Sequence, residues 1–331
     1  MGTMAGQDLV TYDVVVVGGG AAGLSGALML GRSRRSVLVV DAGEPRNAPA
    51  AGVHGFLTRD GMNPSALLEA GRAEILGYGV EVLEGRVASA ASTDDGFVAT
   101  LEGGRRVGAR RLLVTTGLVD ELPDIPGVRE RWGRDVLHCP YCHGWEVRDQ
   151  PIGILASGPM AVHQALLFRQ LTADLTLFLH TAPQPTDEEA EQLAALGITV
   201  VEGEVASLEV HEDRLTGVRL QDGEVVPRDA VVVSPRLAAR AGILADLGLE
   251  TTELPHGLGE YVESDATGLT AVPGVWVAGN VTNPTAQVLA SASAGAMAGA
   301  VINADLVAED TREAVAAHRD RLSSTAGPRR P

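Results

Sequence analysis

The stretch YDVVVVGGGAAGLSGALMLGRSRRSVLVVDAG, residues 12–43, decides the fold. It reads as strand, glycine turn, helix and strand. Gly18, Gly20 and Gly23 fill a G-x-G-x-x-G pattern at the end of the first valine run, and the second run ends in Asp41. Gly18 allows the tight turn, Gly20 lets a pyrophosphate approach the backbone, and Gly23 lets helix and strand pack closely. The helix N-terminus then faces the phosphates. Asp41 stands near the offset of about 20 residues expected of a ribose-binding carboxylate. Three spaced glycines alone are weak evidence. With a strand on each side and the acid in place, they predict a dinucleotide-binding unit.

Outward from this stretch, the composition bounds the rest. The 331 residues, 45% of them hydrophobic, suffice for two domains, and with only 3% aromatic residues the core must be mostly Val, Leu and Ala. A net charge of −17 argues against nucleic acid or an anionic membrane as partner, since phosphate binding needs a basic face. All 26 basic residues are arginine, so Schiff-base chemistry on lysine and a lysine-bearing P-loop are both excluded. The N-terminal MGTMAGQDLVTYD has neither a basic nor an apolar export region, which predicts a cytoplasmic protein. Residues 14–31 are long and weakly polar, but their glycines and the arginines that follow argue against a membrane span.

Further along, RRLLVTTGL (110–118) predicts a strand ending at Thr116-Gly117, and residues 268–306 predict a strand into Gly279-Asn280 followed by a helix of small residues. Residues this small permit close approach to a ligand or to a neighbouring helix. Between these segments, residues 150–180 repeat the strand–turn–helix–strand pattern. The order is one nucleotide-type unit, an inserted second one, and a return. The expectation is an α/β chain of two Rossmann-like three-layer domains, the second inserted into the first. Residues 1–118 with 241–318 make the first domain and 119–240 the second, with a disordered tail at 319–331.

Both cysteines lie in HCPYCHGWE (138–146). Positions i and i+3 of a helical turn are neighbours, so Cys139 and Cys142 can reach disulfide geometry. Pro140 suits a first helical turn, and a helix N-terminus lowers a thiol's pKa toward reactive thiolate. Zinc needs four ligands, and two sulfurs with histidines adjacent in sequence do not readily close one tetrahedron. No metal is expected, and the redox reading stands above the zinc one.

With these features in order, the chain resembles the low-molecular-weight thioredoxin reductases. GGGAAG with Asp41, TTG at 115–117, C-x-x-C-x-G in the inserted unit and TAVPGVWVAGN before the final helix carry the resemblance. It implies FAD as cofactor and a homodimer as assembly. It also implies cofactor contacts from Gly18, Gly20, Ala22, Gly23, Asp41, Asn47, Thr116, Gly117, Gly279, Asn280, Gln287 and Val288. The family usually carries Asp where Asn280 stands. By the same resemblance Cys142 faces the flavin and Cys139 is the interchange thiol. His143 replaces the family's usual Asp. An imidazole titrates near neutrality, so His143 is suited to move a proton for a thiol, with His138 a weaker candidate.

The inserted unit departs from the reductases. Its turn, Ala156-Ser157-Gly158-Pro159-Met160-Ala161, lacks the first fingerprint glycine. Where reductases place an arginine pair for the 2′-phosphate of NADPH, the chain reads LHTAPQPTDEEAEQ (179–192), without arginine and rich in acids. CPYCHG, EPRN (44–47) and VHGFLTRDG (53–61) are similar to the gliotoxin- and holomycin-type dithiol oxidases, which implies that His54 and Phe56 lie near the flavin. The reading is therefore a dithiol oxidase that closes a disulfide in a small dithiol and passes electrons through FAD to O2, giving H2O2. Its alternative is an NADPH- or ferredoxin-dependent reductase running the other way. A flavin-loaded binding protein without turnover is opposed by the intact C-x-x-C.

Overall fold

The computed structural model describes residues 9–325. Strands and helices alternate from the start: β1 (Thr11–Val17), α1 (Ala21–Arg32), β2 (Val37–Asp41) and α2 (Pro64–Leu76). Then follow β3 (Glu81–Glu84), β4 (Val87–Thr93), β5 (Gly96–Leu101) and β6 (Arg106–Val114). The chain leaves through β7 (Leu118–Glu121) and continues with α3 (Val128–Arg131), β8 (Val136–Leu137), α4 (Pro140–His143), β9 (Ile152–Leu155) and α5 (Ala161–Phe168). β10 (Leu175–Phe178), α6 (Asp187–Ala195) and β11 (Thr199–Val201) precede a meander of β12 (Val205–His211), β13 (Arg214–Leu220) and β14 (Val225–Val226). After β15 (Ala230–Val232) the chain returns through β16 (Arg236–Ala239) and α7 (Gly242–Ala245). The hairpin of β17 (Thr251–Glu253) and β18 (Glu260–Val262), β19 (Val275–Val277) and α8 (Val288–Thr325) complete it.

The first sheet has the order β3-β2-β1-β6-β5-β4, with β19 also on β6. β1 is parallel to β2 and β6, in register Val14↔Val37 and Val14↔Arg111. β6 changes neighbour along its length, pairing antiparallel with β5 through residues 106–109 and parallel with β19 through 112–114. The unbroken valine run of β1 follows from burial on both faces, because successive side chains of a strand alternate. Val14 and Val16 pack with Ala27, Leu30, Ala298 and Ile302. Val15 and Val17 pack with Phe97, Ala99 and Val107 on the other side. Each fully buried valine contributes about 1.5–3 kcal/mol, so this strand is central to the core.

The small residues of α8 meet α1. A Cβ on Gly295 would overlap the carbonyl of Ala22, and one on Gly299 the carbonyl of Gly26. Close approach to a neighbouring helix is therefore what this composition serves over that stretch. α8 is long and apolar enough to cross a membrane by length and composition, yet Ala298, Ile302 and Leu306 are fully buried against the sheet. Farther along, Arg111 Nε holds Asp305 at 2.6 Å and Arg35 holds Asp310 at 2.7 Å. The helix continues through Thr325, so the expected disorder is overturned for residues 319–325. Residues 326–331 of that segment, and residues 1–8 of the N-terminus, lie outside the described residues.

The second sheet, β11-β10-β9-β15-β8, is parallel throughout. β7 and β16 pair antiparallel, Leu118↔Ala239 to Glu121↔Arg236, so one two-stranded ribbon carries the chain out of the first sheet and back.

Candidate active site

The turn from β1 into α1 has the geometry its glycines predict. Gly18 has φ +107°, and a Cβ there would lie 2.6 Å from the Thr115 carbonyl oxygen. A Cβ on Gly23 would overlap the Gly18 carbonyl, whereas one on Gly20 would meet nothing within 4 Å. The backbone at Gly20 is thus open to a cavity of about 1110 Å³. No side chain caps α1, and its first turn carries no acid, so its N-terminal N–H groups are available to an anion. The first turn of α8 is likewise free of acids.

Ala22, Asp41, Asn47, Thr116, Gly117, Gly279, Asn280, Gln287 and Val288 line this cavity together with Gly18 and Gly20. Gly23 does not line it; it packs beneath the turn. Asp41 Oδ1 accepts the Gly19 N–H at 3.1 Å, and Oδ2 pairs with Arg72 of α2. Thr116 Oγ1 donates to the Arg240 carbonyl at 2.7 Å. Asn280 Nδ2 donates to the carbonyls of Asn283, Pro284 and Ala286 at 3.0, 3.2 and 2.9 Å, while its Oδ1 accepts from Arg46 at 3.3 Å. A carboxylate could make none of the three donations, which accounts for Asn at this position. Its amide closes the loop that leads into α8.

Cys139, Cys142, His138 and His143 open into the same cavity. Cys139 and Cys142 form a disulfide with a Cα–Cα distance of 5.3 Å. Cys139 caps α4, its Sγ accepting the Cys142 N–H at 3.2 Å, and Pro140 occupies the first helical position. Cys142 is the more exposed of the two, Cys139 being half-buried. Burial pushes the pKa of His143 below its ordinary value; Glu146 opposes that shift and His54 adds to it. A neutral imidazole beside the disulfide can accept a proton. His138 is pinned instead: its Nδ1 lies 3.2 Å from the Val233 carbonyl, and Gln164 donates to its backbone carbonyl at 3.0 Å. Burial also depresses its pKa.

Residues 12–299 match the family described as pyridine nucleotide-disulphide oxidoreductase. The chain belongs to that family. Among its relatives, thioredoxin reductase sirT of Leptosphaeria maculans is 31% identical over 316 residues, 90% of this chain and 95% of sirT. The crystal structure of HlmI is 49% identical, covers 96% of this chain and 99% of its own, and superposes with a TM-score of 0.88. An oxidoreductase from Agrobacterium tumefaciens is 36% identical, covering 90% and 99%, with a TM-score of 0.85. The chain is thus a thioredoxin reductase-like disulfide oxidoreductase of two Rossmann-like units, and the family's cofactor is FAD. The open Gly20 cradle and the acid-free first turns of α1 and α8 fit such a dinucleotide.

Within this family framework the second nucleotide-type turn is altered. Ala156 is fully buried, its N–H bound to the Phe178 carbonyl at 2.9 Å, whereas the start of α5, like that of α1, is uncapped and free of acids. The acids after β10 serve their own helix. Thr186 Oγ1 accepts the Glu189 N–H at 3.3 Å, and Glu189 Oε2 accepts the Thr186 N–H at 2.8 Å. Asp187, Glu188 and Glu189 therefore fill the first turn of α6 with negative charge. The sequence did not reveal the roles of Arg46 and Arg72. Arg46 grips Asp120 of β7 through bonds of 2.6 and 2.8 Å, joining the EPRN turn to the ribbon between the sheets.

Proposed function

We propose that the chain is an FAD-dependent dithiol oxidase that closes a disulfide in a small dithiol and delivers the electrons to O2. One observation carries this reading: the Cys139–Cys142 disulfide opens into the cavity of the intact glycine turn. Ala156 in place of the first fingerprint glycine and the acidic start of α6 support the same direction of flow. Residues 1–118 with 241–318 would form the cofactor-binding unit, and 119–240 would carry the cysteines. Gly18, Gly20 and Ala22 would hold the pyrophosphate of FAD and Asp41 a ribose. Asn47, Thr116, Gly117, Gly279, Asn280, Gln287 and Val288 would hold the remainder, while Gly23 keeps α1 against β1. The dimer is carried over from the resemblance.

The chemistry FAD supplies when bound is two-electron acceptance from the cysteine pair and transfer of those electrons to O2, giving H2O2. The protein's own residues do the sulfur chemistry. His143 takes the proton of an incoming thiol, and the thiolate attacks Sγ of Cys139, breaking the Cys139–Cys142 bond and releasing Cys142 as thiolate. The second substrate thiol gives its proton to solvent, attacks the substrate sulfur of the mixed disulfide and expels Cys139 as thiolate. The substrate has then lost two electrons and two protons, and the cysteine pair has gained the two electrons.

Anaerobic titration of the flavin-loaded protein, followed by flavin absorbance, tests this. Dithiothreitol should bleach the flavin and NADPH should not, with air restoring the colour and forming stoichiometric peroxide. Stoichiometric bleaching by NADPH would return the chain to the reductases.

A further inference from the structure

A loop between β2 and α2 reaches the cysteine segment from the other sheet. Residues 53–62 are closed on themselves, the Val53 N–H donating to the Met62 carbonyl and the Gly61 N–H to the Val53 carbonyl, both at 2.8 Å. Asp60 Oδ1 braces the loop, accepting the Gly55 N–H at 2.9 Å and standing 3.5 Å from His54 Nδ1. The far edge of the same imidazole crosses the cleft: His54 Nε2 lies 3.4 Å from Oε1 of Glu146, three residues past His143. His54, which lines the cavity, is therefore held between two carboxylates, Asp60 of its own loop and Glu146 of the cysteine segment.

α4 is only four residues long, and so short a helix does not hold its own orientation in water. On one side it is fixed by the Gln164 bond to His138. The contact from Glu146 to His54 ties the other side to the first sheet. A displacement of about 1 Å at a reacting centre can cost on the order of 100-fold in rate, so the contact has mechanistic weight. We propose, resting on the dithiol oxidase reading, that His54 is a positioning residue for the sulfur exchange. Clamped by Asp60 and Glu146, it holds the cysteine segment over the cavity and sets the charge that His143 meets. The charged and titratable groups facing His143 are Glu146 on its own segment and His54 from the loop, with His163 of α5 on the same cavity wall. The first two act on its proton affinity in opposite senses.

The test uses the flavin-loaded protein and the variants His54→Ala, His54→Gln, Glu146→Gln and the double variant His54→Ala/Glu146→Gln. The first readout is the titration midpoint of the His143 ring proton by NMR. The midpoint should rise in His54→Ala and fall in Glu146→Gln, and the double variant should depart from the sum of the two shifts. The second readout is the rate of anaerobic bleaching by dithiothreitol. It should fall about tenfold in each single variant, be no worse in the double one, and recover largely in His54→Gln, as expected of coupled neighbours. An unmoved midpoint, or single effects that simply add, overturns the proposal even if the rates fall. A wild-type protein that dithiothreitol does not bleach would sink the oxidase reading instead, with the NMR arm still deciding whether His54 and Glu146 act on His143.

Discussion

The turns at 18–23 and 156–161 occupy equivalent places in two similar units, each leading from a buried parallel strand into a helix. At the first, Gly18 is left-handed, Gly20 faces open space, and the helix begins without a cap or an acid. At the second, a buried Ala156 stands where the first fingerprint glycine would be; α5 begins, like α1, without a side-chain cap or an acid, and the acids come only in the first turn of the following helix, α6. The second unit keeps the parallel sheet, because Ile152, Ile154, Leu175 and Leu177 bury it whatever the turn does. To the cavity it supplies the cysteine segment and one face of α5, together with residues on either side of β8 and after β15 such as Trp132 and Ser234. The sheet does not depend on the turn, so function has to be argued from each turn separately.

The sharpest way to break this comparison is to put the same methyl group into both turns. At Gly18 it meets the Thr115 carbonyl and a φ of +107°, so Gly18→Ala should cost on the order of 3 kcal/mol and leave the purified protein largely without flavin. The second turn already carries that methyl group at the matching position, Ala156, and at Gly158, which matches Gly20, a Cβ meets nothing within 4 Å. Gly158→Ala should change stability by less than about 0.5 kcal/mol and leave flavin content and dithiol turnover intact. Urea unfolding and the flavin-to-protein absorbance ratio read both. Equal losses in the two variants would mean that the open space at Gly158 is not what the second turn presents in solution.

What was legible in the sequence was local. The 12–43 unit announces itself because valine alternation, glycine spacing and Asp41 all lie within one short segment, and the C-x-x-C pairing needs only one helical turn. The bonds between distant segments were not legible. Arg46 is attractive as part of EPRN, but its partner Asp120 is 74 positions away on a ribbon whose pairing depends on both sheets. His54 could be named as close to the flavin, whereas its contact with Glu146 exists only once the two sheets face each other. Residues 319–325 are helical because the helix-forming run of α8 continues into them through AVAAHRDRL (314–322), whose small and charged residues carry no periodic apolar face to announce it.

Asn280 sharpens the comparison on the intact side. Its amide donates to three carbonyls, so a carboxylate there would face oxygen with nothing to donate. Asn280→Asp should cost about 1–3 kcal/mol and lower flavin retention, even though Asp is the residue the family usually carries. If the variant binds flavin as tightly as wild type and unfolds at the same urea concentration, the three bonds are not what holds the loop.

The smallest effect concerns the cysteine side of the cavity and follows from burial alone. His138 and His143 both have folded pKa values below their ordinary 6.5, chiefly through desolvation. Below pH 6.5 the unfolded chain therefore takes up protons that the folded chain refuses, so stability is lost as pH falls through that value and is flat above it. Carboxylates held low by arginines, such as Asp213 at about 2 beside Arg134 and Arg131, stay ionised in this range and do not contribute. The urea midpoint should drop between about pH 7 and pH 5. His138→Gln, which keeps a donor for the Val233 carbonyl but cannot titrate, should drop less. An identical pH slope in both proteins would show that His138 takes up its proton as readily in the fold as in the unfolded chain, and the pinned, neutral role assigned to it would be wrong.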